Sequence, residues 1–207
     1  ITNTHTPETT AVSVEKVWND ADDQDGMRPD EITIRLLANG EEVAGKTLTL
    51  NAANDWAGSF SGLPKYENGQ EIVYTIAEDA VPGYTATVDG FTITNTHTPE
   101  TTAVSVEKVW DDADDQDGMR PKEITIRLLA NGEEVAGKTL TLNAANDWAG
   151  SFSGLPKYEN GQEIVYTIAE DAVPGYTATV DGFTITNTHT PETTAVSVEK
   201  VWDDADD

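Results

Sequence analysis

Along this chain the apolar residues recur with a period of two rather than 3.6. Val12, Val14, Lys16 and Trp18 fall on one face of an extended segment, with Ser13 and Glu15 on the other, because successive side chains of a strand point to opposite sides. Glu31–Ala38 alternates and runs into Asn39-Gly40, a dipeptide that favours a two-residue hairpin. Val43–Leu50 returns, and Trp56–Leu63 is a short segment closed by Pro64. Glu71–Glu78 alternates, and Tyr84–Val88 leads through Asp89-Gly90 into Phe91–Thr96. Seven short strands at close spacing, with no segment of helical period, predict an all-β fold. The expected architecture is an immunoglobulin-like or transthyretin-like β-sandwich of about seven strands.

The whole pattern then starts again. ITNTHTPETTAVSVEKVW begins at Ile1, at Ile93 and at Ile185, a period of 92 residues. That is the size of a domain and too long for a solenoid unit. The copies differ at very few places: Asn19 becomes Asp111 and Asp203, and Asp30 becomes Lys122. The tract His97–Thr102 holds Pro, Thr and a charge without apolar periodicity, so it reads as a linker. Residues 1–9 are then the tail of a preceding repeat, 10–98 and 102–190 are complete tandem repeats, and 194–207 are the opening strand of a following one. So short a linker predicts neighbouring repeats as each other's partners in a semi-extended rod.

Charge narrows the set of outside partners. Thirty-eight acidic residues against 12 basic ones give a net charge of -26. That field repels phosphate backbones and anionic membrane surfaces, so nucleic acid is not an expected partner. No apolar run reaches the length of a membrane helix, so no membrane insertion is expected. Neither a signal peptide nor an anchor is visible, which reads as an interior stretch of a longer protein. There are no cysteines, so any covalent staple must be something other than a disulfide.

Three strands carry one polar residue each on the face that should be buried. Lys16 shares its face with Val12 and Val14, Glu78 with Ile72, Tyr74 and Ile76, and Asn95 with Phe91 and Ile93. The second repeat duplicates them as Lys108, Glu170 and Asn187. Separate burial of each would cost several kcal/mol. Two arrangements make sense of the trio. One is a buried Lys–Glu ion pair capped by an Asn amide, with the lysine free to reach the rim. The other is chemical. Burial lowers the pKa of a lysine, to ~5–6 in documented cases, and raises that of a glutamate to ~8–9. The proton then passes to Glu, the neutral amine becomes a nucleophile, and the protonated Glu polarises the Asn carbonyl. Attack releases ammonia and leaves a Lys–Asn isopeptide bond.

Other candidates are weaker. Asp20-Ala21-Asp22-Asp23-Gln24-Asp25-Gly26 has a hard-cation composition, but in the EF-hand register Ala21 takes the first ligand position and Ile32 the twelfth. The expectation is a solvated acidic turn, with weak calcium binding as the alternative. His5, His97 and His189 lie in linkers with no catalytic partner at a useful spacing and are expected to be exposed. Trp18, Trp56 and Phe60 are expected in the core. The sequence holds no Ser/His/Asp arrangement, phosphate-binding loop or Cys/His cluster, so no cofactor, no metal and no turnover enzyme are expected.

The segments EKVWDDADDQDGMRP, LLANGEEV, LPKY, YTIAEDAVPGY and ITNTHTP resemble the B-type repeats of the bacterial collagen adhesin, the CnaB-like domains. The resemblance covers each whole repeat. It implies a Gram-positive surface protein, extracellular and cell-wall anchored, whose repeats form a stalk beneath a ligand-binding region. It also implies an isopeptide bond from Lys16 to Asn95 and from Lys108 to Asn187, promoted by Glu78 and Glu170. Asn3 and Lys200 have no partners in their partial repeats and are expected to stay unlinked within this chain. The alternative function is a repeated module that binds a host matrix ligand or is stabilised by calcium.

Overall fold

The computed structural model describes residues 1–203. In the first repeat the strands are β1 (Thr9–Asn19), β2 (Glu31–Ala38), β3 (Glu41–Asn51), β4 (Ala57–Pro64), β5 (Tyr66–Glu67), β6 (Gln70–Glu71), β7 (Tyr74–Glu78), β8 (Thr85–Asp89) and β9 (Thr92–Thr96). The second repeat follows with β10 (Thr101–Asp111), β11 (Glu123–Ala130), β12 (Glu133–Asn143), β13 (Ala149–Pro156), β14 (Tyr158–Glu159), β15 (Gln162–Glu163), β16 (Tyr166–Glu170), β17 (Thr177–Asp181) and β18 (Thr184–Thr188). Two compact units result, one built on Ile1–Thr101 with Pro156–Ile164 and the other on Thr102–Leu155 with the described residues from Val165. Among the described residues no helix is long and apolar enough to cross a membrane.

Each repeat is a sandwich of a four-stranded sheet, ordered β4-β1-β9-β8, and a three-stranded sheet, ordered β3-β2-β7. All pairings are antiparallel except that of the first and last strands, β1 and β9, which run parallel in the middle of the larger sheet. Their register sets Lys16 opposite Ile93 and Trp18 opposite Asn95. The core between the sheets is Val12, Val14, Ile32, Ile34, Leu36, Leu50, Phe60, Leu63, Ile76 and Ile93, and the second repeat repeats it from Val104 to Ile185. Ile34 and Ile126 are fully buried. Ile34→Ala is expected to destabilise the first repeat by about 2–5 kcal/mol through the cavity it leaves. Urea unfolding should show an early transition for that repeat and an unchanged one for the second.

The alternation read from the sequence matches the burial of β1, where every second residue from Val12 to Lys16 is buried. It fails in one place. The segment Glu71–Glu78, expected as one strand, is interrupted at Ile72 and Val73. The Val73 amide donates to the Asn39 side chain at 3.0 Å and its carbonyl accepts from the Asn39 backbone at 2.8 Å. Asn39 thus closes its own hairpin, with φ of 52°, and pins a second chain segment in place of a ladder. The residues freed before it form the small hairpin β5–β6, turned at Asn68-Gly69 with φ of 48° and 78°. Nine strands per repeat replace the seven expected.

A second difference concerns the β8–β9 hairpin. Its strands pair Asp89 with Thr92, so the two-residue turn is Gly90-Phe91 and not Asp89-Gly90. Gly90 has φ of 59°, the conformation a type II′ turn requires at its first central position. Residues 194–203, expected to open a further strand, form none and are exposed; the rest of that segment, 204–207, lies outside the described residues. In the complete repeats the equivalent strand is held by β4 and β9 on either side.

Candidate functional site

β1 brings Lys16 inward, β9 brings Asn95 inward beside it, and β7 ends with Glu78 on the facing sheet, paired with Ile34. The side chains of Lys16 and Glu78 are 0% and 3% exposed, with Nζ 3.7 Å from Oε1. Asn95 is fully buried, and its Nδ2 donates to the same Glu78 Oε1 at 3.1 Å. One carboxylate oxygen therefore faces both the lysine amine and the asparagine amide. The second repeat buries Lys108, Glu170 and Asn187 on the corresponding strands, with Lys108 Nζ 3.5 Å from Glu170 Oε1, but there Asn187 Nδ2 makes no hydrogen bond to the carboxylate. Strand phase puts each of these residues on a buried face, and the structure gathers them as one trio within each repeat.

Burial sets their electrostatics. Removal from water lowers the Lys16 ammonium from its ordinary value to about 8, against the pull of Glu78, and Lys108 likewise falls to about 8. Burial raises the Glu78 carboxyl, although Lys16 and Asn95 hold it down in part. Both shifts move the pair toward amine plus carboxylic acid. Lys16 Nζ donates to the Val17 carbonyl at 3.1 Å and sits 4.1 Å from the centre of the Trp18 ring. Glu78 Oε2 and Asn95 Oδ1 are buried without hydrogen-bond partners, as are both amide atoms of Asn187. An orphaned buried polar atom costs roughly 1–3 kcal/mol.

The wall of this site is aromatic. Trp18 meets Trp56 edge-on at 5.1 Å and Tyr84 at 5.0 Å. Trp56 arrives after a short turn at Ala52–Asn54, capped by the Asn51 side chain, through two residues in left-handed conformation, Asp55 and Trp56. Its carbonyl then accepts from the Lys16 amide at 2.9 Å. Of the expected core aromatics, Phe60 is buried, while Trp18 and Trp56 are half-buried and packed against the core.

The acidic loop is not the solvated turn expected. Asp20 is buried; it accepts from Arg28 Nη2 at 2.6 Å, Arg28 Nε at 3.0 Å, the Tyr84 hydroxyl at 2.9 Å and the Asp23 amide at 3.1 Å. Burial pushes its carboxyl up, but the Arg28 and Tyr84 hydrogen bonds hold it below its ordinary range. Asp112 is held at about 2 by the matching Arg120. Ala21, Asp22 and Asp23 all have φ between 52° and 60°. Such a left-handed turn costs L-residues roughly 1–2 kcal/mol each, and the bonds to Asp20 and Asp23 offset it. Among the described residues no group of three or more His, Asp or Glu is arranged to hold a metal ion.

Two of the three histidines, His97 and His189, also depart from expectation. His97 is only 12% exposed, and its Nε2 lies 2.9 Å from Asp25 Oδ2; His189 meets Asp117 at 3.0 Å. His5 is exposed, as are Asn3 and Lys200. Sequence reasoning missed Asp25 and Tyr84 as partners because 72 residues separate Asp25 from His97 and 64 separate Tyr84 from Asp20; it missed Arg28, eight residues from Asp20, because the turn between them has no regular period.

A family model described as the Cna protein B-type domain matches residues 12–96 and 104–188. The collagen adhesin of Staphylococcus aureus is 47% identical over all of this chain, which spans 18% of that protein. A crystal structure of two B repeat units of the collagen binding protein of Staphylococcus aureus is 45% identical. The match covers 90% of this chain and 51% of that one, with a TM-score of 0.82.

Proposed function

The chain belongs to the Cna protein B-type domain family, and from that premise we propose that it is a stalk segment of a bacterial surface adhesin, extracellular and held to the cell wall through the full-length protein. Each complete repeat is closed by its own Lys–Asn isopeptide bond. The proton of the Lys16 ammonium moves to Glu78, and the Glu78 carboxylic O–H then hydrogen-bonds Asn95 Oδ1 after a rotation of the amide. The neutral Lys16 Nζ attacks Asn95 Cγ, the Cγ–Nδ2 bond breaks, and Nδ2 departs as ammonia with a proton relayed from Nζ. The step happens once per repeat, so it is self-modification and not turnover. Fixed geometry substitutes for binding a second reactant. Lys108, Glu170 and Asn187 act alike.

The observation that carries this reading is the single buried Glu78 oxygen facing Lys16 from the first strand and Asn95 from the last strand of one sheet. A bond there diverts tension. Force entering along β1 crosses at Lys16 to Asn95 and leaves through Thr96, so Val17–Thr94 carry no load. Pulling the chain from its two ends should therefore release none of those residues, even at forces that unfold ordinary sandwiches. Extension by the full length of a repeat in the unaltered chain would sink the proposal. Retention of the chain on a fibrillar matrix protein would replace the spacer role with an adhesive one.

A further inference from the structure

Each repeat has a second polar assembly, outside the trio and beyond the last strand. His97 follows β9 directly, and its backbone amide donates to the Asn19 carbonyl at 3.0 Å. Its ring is held on two sides. Nδ1 lies 2.9 Å from the Gly83 carbonyl oxygen and Nε2 lies 2.9 Å from Asp25 Oδ2. Both neighbours are acceptors. A neutral imidazole donates through one nitrogen and presents a lone pair at the other, whereas the imidazolium donates through both. Only the charged ring satisfies this geometry.

The same carboxylate oxygen also accepts the Glu100 backbone amide at 2.8 Å. Asp25 thus ties down the chain at two points, a ring and an amide three residues on. The second repeat reproduces every contact. His189 meets the Gly175 carbonyl at 2.8 Å and Asp117 at 3.0 Å, and the Glu192 amide meets Asp117 at 2.8 Å. We infer that His97 with Asp25, and His189 with Asp117, form a pH-operated clamp that fastens the tract leaving each repeat to that repeat's own acidic loop.

The charged surroundings favour the closed form. Asp25 faces the ring from the loop between β1 and β2, and Asp20 adds its field from the same loop while bound to Arg28. Tyr84, just before β8, lies against the ring at 5.4 Å between centres. The hydrogen bond to Asp25, then that to Gly83, raise the His97 pKa above its ordinary value; Asp117 and Gly175 do the same for His189. The Asp25 carboxyl is pushed up by burial but held low by His97 and the Glu100 amide. A raised histidine contributes stability that is present below its unfolded value and lost as pH rises through its folded one. A lowered aspartate contributes stability that is lost as pH falls through its own. The clamp is closed between those limits and opens on the alkaline side by loss of one ring proton. The tract it orders, Thr98–Glu100, lies outside any ring closed between Lys16 and Asn95, and the inference stands without that bond.

The test is a nitrogen-15 NMR titration of the whole chain from about pH 5 to about pH 9. The expected result is that the Glu100 and Glu192 amide signals shift with the titrations of His97 and His189, whose rings carry protons on both nitrogens at the acid end. Asp25→Asn should lower the His97 midpoint by about one unit, roughly tenfold in proton affinity, and leave His189 unmoved. A Glu100 amide that stays flat while His97 titrates overturns the clamp in the unaltered chain alone. An unchanged His97 midpoint in a folded Asp25→Asn chain overturns it as well.

Discussion

The intact chain is expected to weigh less than its sequence by two molecules of ammonia, one for each complete repeat. Lys16→Ala should restore one of them, and so should Glu78→Gln, by different routes. The first removes the nucleophile. The second keeps the shape and an acceptor for Asn95 Nδ2, and it frees Lys16 of the counter-charge that holds its proton, but it has no carboxylic proton with which to polarise the Asn95 carbonyl. The stability effect is large because the bond constrains the unfolded chain. Closing a loop of this size is worth roughly 4–5 kcal/mol in the chain-entropy treatment, and the melting temperature of the altered repeat should drop on the order of 20 °C or more. The unaltered second repeat provides the reference within the same molecule. Protease should cut the first repeat of Lys16→Ala while the second survives. A mass equal to that of the sequence, in the unaltered chain, ends the cross-link reading.

The same chemistry fixes a pH profile for bond formation. The reactive pair, amine plus carboxylic acid, carries the same number of protons as the ion pair it comes from. Its population is therefore flat between the two apparent pKa values of the coupled site. It falls at low pH, where both groups hold protons, and again above the Lys16 value near 8, where Glu78 has none to give. A bell-shaped rate is expected on refolding into a range of buffers. A rate that only climbs with pH would mean a neutral lysine suffices and Glu78 is a bystander.

How much of this was legible beforehand depends on the range of the interaction. The trio was readable because the signal is local: a period of two assigns each of Lys16, Glu78 and Asn95 to a buried phase within its own strand. That the three phases converge follows from sandwich topology, in which the first and last strands are neighbours. Hairpin turns were visible to within a residue, since Asn39-Gly40 and Gly90 impose positive φ by their own chemistry. The break at Ile72 and Val73 was not visible. It depends on Asn39, 34 residues away, spending its side chain on a backbone amide. The acidic loop misled for the same reason. Composition says that Asp20–Asp25 belong in water, but Arg28, Tyr84 and His97 draw Asp20 and Asp25 inward from places that no local pattern connects.

That inward turn makes Asp20 the next most consequential residue. Asp20→Ala is expected to cost about 3–5 kcal/mol, the range for removing one member of a buried ion pair, and Asp112→Ala the same in the second repeat. The lower end is favoured because the Arg28 side chain is 26% exposed and can turn to water once abandoned. The Tyr84 hydroxyl loses its acceptor, and the left-handed run Ala21–Asp23 loses the amide anchor that offset its strain. The acid dependence separates the ion pair from the packing. A carboxyl held low in the folded state stabilises above its ordinary pKa and loses that contribution as pH falls through the folded value, near 2 for Asp112. The unaltered chain should therefore lose stability between about pH 4 and pH 2, and the Asp20→Ala repeat should be flatter there, measured by thermal melts in series. Asp20→Asn keeps the hydrogen-bonding shape and should fall between the two. Asp20 acts on the folded state, whereas the proposed Lys16–Asn95 bond would act on the unfolded one. The two sites meet on the Trp18 ring, which Lys16 faces at 4.1 Å and the Arg28 guanidinium at 5.5 Å, so the two losses should add only approximately. Their sum is comparable to the whole stability of an ordinary domain. Lys16→Ala with Asp20→Ala should thus leave a chain whose first repeat is unfolded at room temperature beside a second that melts as before. A first repeat still folded in that double variant would mean that one of the two contributions has been overstated, and the single-variant melts say which.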